Sequence, residues 1–171
     1  MIILMVIYHF FFDLDFFGMM GIDLSGAAWV LFQRLIAVMF LSLVGVGLVL
    51  SESRNKEGYA HHLKRGLFLA LIAGIITLAT WVFPHDGYIQ FGIIHLIALS
   101  VIVAPLFIRF GRWNLAFGAI FILLGLWFGQ LSTDSHLVFW LGITDPGYHA
   151  LDHYPFFPWF GVVLIGVCLG K

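Results

Sequence analysis

Six apolar runs, at residues 1–17, 27–50, 66–83, 89–108, 113–131 and 158–171, take up most of the 171-residue sequence and leave no room for a separate soluble domain. Only 10 % of the residues are charged, against roughly a quarter in an ordinary soluble domain. The pattern predicts an all-α, polytopic membrane helix bundle of about six transmembrane helices, one domain over residues 1–171. At 1.5 Å per residue the first run reaches only about 25 Å and the last is shorter still, whereas the hydrocarbon core is roughly 30 Å thick. The first and last helices therefore read as truncated, and the sequence as a fragment or minimal core of a longer bundle. The first run has neither a basic start nor a small-residue cleavage site, so it is expected to stay as a helix. A single cysteine, Cys168, leaves no internal disulfide to form.

The first run carries His9, Asp13 and Asp15, groups that are expensive in lipid and need a reason to be there. On a helix His9 and Asp13, four residues apart, share a face, so the carboxylate can hold and polarise the imidazole. Arg34 enters the second helix by about seven residues, and His95 enters the fourth by a similar distance from the same side. His9, Asp13, Arg34 and His95 are thus expected in one layer, as a shared polar pocket would require. The structural alternative is an Arg34–Asp13 ion pair, with His95 satisfied by a backbone carbonyl.

Arg54, Lys56, Lys64 and Arg65 lie between the second and third runs, Arg109 and Arg112 between the fourth and fifth, and Lys171 after the sixth. Positive links stay in the cytoplasm, which predicts a cytoplasmic-membrane protein with its amino terminus inside. The outward links hold Asp23, His85, Asp86, Asp134, His136, Asp145, His149, Asp152 and His153, and no lysine or arginine. His61 and His62, beside Lys64 and Arg65, read as solvated, and the basic cluster there suits lipid phosphates or an anionic cosubstrate. Gly66, Ala70 and Gly74, and again Gly125 and Gly129, recur at the four-residue spacing that lets membrane helices approach closely. Pro105 predicts a kink, residues 84–87 a tight turn, and residues 137–143 an interfacial or re-entrant piece. A metal site among the outer histidines and Asp152, and haem held between His9 and His95, are weaker readings. No metal, haem or nucleic-acid partner is expected.

The blocks LMVIYHFFFDLDFFG, FLSLVGVGLVLS, DGYIQFGIIHLIALS and DHYPFFPWFGVVLIGVCLGK occur in that order. They resemble the prokaryotic branch of the heparan-alpha-glucosaminide N-acetyltransferase catalytic-domain family over essentially the whole sequence. The resemblance implies a membrane acyltransferase that moves an acetyl group from cytoplasmic acetyl-CoA to a sugar or glycan outside, within the lipid bilayer and with self-association left open. It implies coenzyme A over Arg54, Lys64, Arg65, Arg109 and Arg112. His9 would be the general base or a transient acetyl carrier, oriented by Asp13, and Arg34 would hold a developing oxyanion or an acceptor carboxylate. His95, counted among the catalytic residues, and Asp152 would bind or deprotonate the acceptor, with Gln90 and His153 also binding it. Animal members use a histidine just after the first helix; residues 18–28 contain none, so that residue has no counterpart. The rival from another class is a non-catalytic transporter, or a solute- or proton-binding protein, using the same polar layer.

Overall fold

The computed structural model describes the chain except for residues 20, 22–25, 55–57, 134 and 136, so Asp23, Lys56, Asp134 and His136 lie outside the described residues. Among the described residues the fold is all-helical and has no strand. The helices are α1 (Ile2–Phe16), α2 (Ala27–Arg54), α3 (Tyr59–Val82), α4 (Ile93–Val103), α5 (Pro105–Ile108), α6 (Trp113–Phe128) and α7 (Phe156–Leu169), with a single 3-10 turn at Phe139–Leu141. Two of them, α2 and α3, are long and apolar enough to cross a membrane, while α4, α6 and α7 are shorter apolar helices. The chain divides into two compact units, Met1–Phe40 and Leu41–Lys171.

In the first unit α1 stops where Gly18 adopts φ +68°, a left-handed conformation that costs glycine no steric clash. The Gly18 and Met19 amides then turn back to Asp15 O and Leu14 O, each at 2.8 Å, satisfying the last carbonyls of the helix. Aromatic packing joins α1 to α2: Tyr8 and Phe11 lie 6.3 and 5.5 Å from the Trp29 ring, and Tyr8 lies 6.2 Å from Phe32.

In the second unit the buried face of α3 reads His62, Gly66 and Ala73. A Cβ on Gly66 would run into Ile102 and the Ala98 carbonyl of α4, whereas Gly74 faces open space. The expected 66–70–74 stripe is therefore corrected to a 62–66–73 seam. Each four-residue step drifts about 40° round a helix, while a seven-residue step drifts only about 20°. The same correction applies to α6. Gly118 meets the Gly161 carbonyl and Gly125 meets Pro158, but Gly129 touches only its own helix. On α7, Gly166 lies against the Ser42 backbone, and Gly45 of α2 lies against the backbone of Val163, Gly166 and Val167. These approaches enclose Phe160, Val163, Leu164 and Val167 completely.

Helix boundaries depart from the apolar runs in two informative places. Helix α3 begins at Tyr59, so Lys64 and Arg65 stand on it rather than in a link, because hydropathy marks the lipid-compatible stretch and not the helix. The fourth run becomes helical only at Ile93, after an extended Gly92. Gln90 therefore lies in a loop, and His95 in the first turn of α4 rather than seven residues in. Pro105 breaks this run after Ala104, as expected, because it has no N–H to continue the ladder. Phe157 is extended (φ −94°, ψ 131°), the conformation favoured before a proline, so regular helix in α7 starts at Pro158.

Candidate functional site

The polar end of α3 is built from two threonines. Thr80 Oγ1 donates to Ile76 O at 2.9 Å and accepts the Ile89 amide at 3.0 Å, and Thr77 Oγ1 donates to Ile89 O at 2.7 Å. The lone pair left on Thr77 faces His95 Nε2 at 3.1 Å, and His95 Nδ1 accepts the Gly92 amide at 3.3 Å. Following the donors fixes the tautomer: His95 carries its proton on Nε2, is neutral, and has both ring nitrogens engaged. Asp152 Oδ2 accepts the Ile93 amide at 2.8 Å, placing a carboxylate at the electropositive start of α4. Gly92 makes this approach feasible, since a Cβ there would strike the same carboxylate.

Two loops run side by side above this cap. Leu151 N donates to Gly87 O at 2.7 Å and Tyr154 N to Phe91 O at 3.1 Å, a short parallel pairing that brings His153 and Tyr148 to the loop carrying Tyr88 and Gln90. The Tyr148 ring is 4.9 Å from that of His153, and its hydroxyl faces Nδ1 at 3.4 Å. Burial, and secondarily Tyr88, pushes the Tyr148 phenol up to about 12, while burial lowers His153 from the usual imidazole range. Both groups are thus neutral near neutral pH. Gln90, His95, Asp152 and His153 are all half-buried, and Phe91 and Trp140 wall the cluster with ring centroids 6.5 Å apart.

Fifteen residues back along α3, about 22 Å away, a cleft of about 380 Å³ is lined by Glu52, Tyr59, Pro105, Leu106 and Arg109. His62 is fully buried, against the expectation of a solvated side chain, and its Nε2–H donates to Glu52 Oε2 at 2.8 Å. Arg109 lies over the Phe110 ring, 4.8 Å from its centroid. Buried Asn114 donates to Phe107 O at 2.9 Å and Gly111 O at 2.8 Å, closing the turn that presents Arg109 and Arg112. Of the basic residues expected to hold a cosubstrate, Arg109 lines this cleft, and Arg54, Lys64, Arg65 and Arg112 are exposed.

In the first unit His9, Asp13 and Arg34 are exposed. The His9 Nδ1–H donates to Met5 O at 2.9 Å, which leaves Nε2 as the basic nitrogen. Among the described residues Asp13 bonds neither His9 nor Arg34. Sequence reasoning passed over Thr77, Thr80, Tyr148, Glu52 and Asn114. Asn114, a lone amide in an apolar run, carried a legible signal; Glu52 pairs with His62 across an interhelical link, which has no sequence period.

Among the described residues no group of three or more histidine, cysteine or acidic side chains is arranged to hold a metal ion. The profile of a family described as heparan-alpha-glucosaminide N-acetyltransferase, catalytic, matches residues 1–171. No curated protein and no solved structure matches the chain.

Proposed function

The chain belongs to the heparan-alpha-glucosaminide N-acetyltransferase catalytic family, and from that premise we propose that it transfers an acetyl group from cytoplasmic acetyl-CoA to a sugar or glycan outside. The observation that carries this reading is the pair of polar clusters at the two ends of α3. The cleft at Arg109 lies at one end and the Gln90–Asp152–His153 cluster at the other, joined by a helix apolar enough to cross a membrane. The large side chains that α3 exposes, Leu67, Phe68, Leu71, Ile75 and Leu78, suit lipid contact. Positive links then face the cytoplasm, with the amino terminus inside.

In this reading Arg54, Lys64, Arg65, Arg109 and Arg112 hold the phosphates of coenzyme A, and Gln90, Asp152 and His153 bind the acceptor. The acceptor nitrogen or oxygen attacks the thioester carbonyl, the C–S bond breaks, and the thiolate leaves. His9 takes the acceptor proton on Nε2, its ring oriented through Nδ1 by Met5 O, with Asp13 one turn further on to stabilise the imidazolium. Arg34 is assigned the stabilisation of the oxyanion that develops on the carbonyl. His95, expected to be catalytic, has both nitrogens occupied and in this reading holds the acceptor loop in place instead.

The test is release of free coenzyme A by proteoliposomes supplied with acetyl-CoA and amino sugars. A general base contributes about 10²- to 10⁴-fold, so His9→Ala is expected to lose at least about 100-fold in rate. Equal release by wild type and His9→Ala would remove His9 from the chemistry.

A further inference from the structure

Glu52 and Arg109 line one cleft, and opposite charges in so small a space would ordinarily pair. They do not. Among the described residues the single ion pair is between Glu52 and His62, at 2.8 Å, and Arg109 makes none, resting on the Phe110 ring. His62 is fully buried, and its Nδ1 has no partner among the described residues. A buried imidazole with one nitrogen unsatisfied is costly, so the ring is held there by the one bond it makes. We propose that His62 is a positioning residue: by holding Glu52 it keeps the carboxylate off Arg109, leaving the guanidinium available to the phosphate of an anionic ligand that enters the cleft.

The chemistry of the cleft fits this division. Arg109 offers a planar fork of donors suited to phosphate, Tyr59 an aromatic wall, and Pro105 and Leu106 an apolar floor. Asn114 fixes the turn from which Arg109 projects. A carboxylate competing for that fork would have to be displaced by every incoming phosphate. The inference rests on the acyltransferase reading only for the ligand's identity; the anion itself could be a soluble phosphate ester or a lipid headgroup.

The experiment titrates inorganic pyrophosphate and, separately, acetyl-CoA into the protein held in nanodiscs of zwitterionic lipid, with thermal melts as a check on folding. His62→Leu releases Glu52 to Arg109 and is expected to weaken pyrophosphate binding about fivefold, the worth of a partly exposed ion pair. Glu52→Gln binds at least as tightly as wild type. The double variant His62→Leu with Glu52→Gln returns to within about twofold of wild type, since no carboxylate is left to compete. His62→Gln, which keeps a donor for Glu52, retains binding and serves if the leucine variant fails to fold. Displacement of pyrophosphate by added phosphatidylglycerol supports the same role for Arg109 with a headgroup as the source; displacement by acetyl-CoA supports it with a soluble ester. Wild type that ignores pyrophosphate, or a double variant no better than His62→Leu alone, overturns the inference. The rescue pattern without any coenzyme A release in proteoliposomes sinks the acyltransferase reading and leaves this one standing.

Discussion

Asp152 does at the residue scale what a capping serine or aspartate usually does from within its own helix, but from 59 positions away. Because it closes a helix start and ties two loops together, Asp152→Ala is expected to cost about 1 kcal/mol of stability, read as a lowered melting temperature, with Asp152→Asn losing less. His153 gives a pH signature. Its folded-state affinity for protons is lowered by burial from the ordinary 6.5, so between that value and the lower folded one the unfolded chain binds more protons, and stability falls as pH falls. Melts from about pH 7.5 down to about pH 5.5 should show a decline that His153→Phe flattens; an unchanged slope in the variant would assign the decline elsewhere. At this scale the sequence announced that His9 and His95 need partners. It did not reveal which, because Met5 O and the Gly92 amide are backbone groups that every residue type carries, and Thr77 Oγ1 reaches His95 from another helix.

Among the elements, the glycines separate what a sequence spacing can say from what packing decides. That α3 and α6 carry small-residue seams was legible in the four-residue repeats. Which glycine faces a neighbour was not, because the seam follows the seven-residue drift and the neighbour's position. Gly166→Ala, whose Cβ would meet the Ser42 backbone, and Gly45→Ala, set against α7, are expected to cost about 3 kcal/mol each, at the upper end of ordinary overpacking. Gly74→Ala, with open space around it and helix on both sides, should be neutral or stabilise by up to about 1 kcal/mol. Thermal unfolding of the three variants in detergent checks the contrast, and a Gly74→Ala as damaging as Gly166→Ala would restore the four-residue stripe as the packing seam. The all-helical class and the break at Pro105 were readable from apolar runs and a missing N–H. The start of α4 was not, since Gly92 and Asp152 set it through a contact distant in sequence.

For the whole molecule the sequence supplied class, charge asymmetry and family likeness, and the fold adds the separation of the Arg109 cleft from an aromatic-walled polar cluster along α3. On the proposed acetyl-transfer reading, this separation predicts that donor and acceptor are served from different sides. Proteoliposomes with an amino sugar trapped inside and acetyl-labelled acetyl-CoA added outside test it directly, using the molecules whose Arg109 cleft faces outward. The account predicts labelled N-acetyl sugar accumulating in the lumen at a rate that falls at least about 100-fold in His9→Ala. Label recovered only as free acetate, or an acetylated sugar formed only when donor and acceptor share one side, would contradict it.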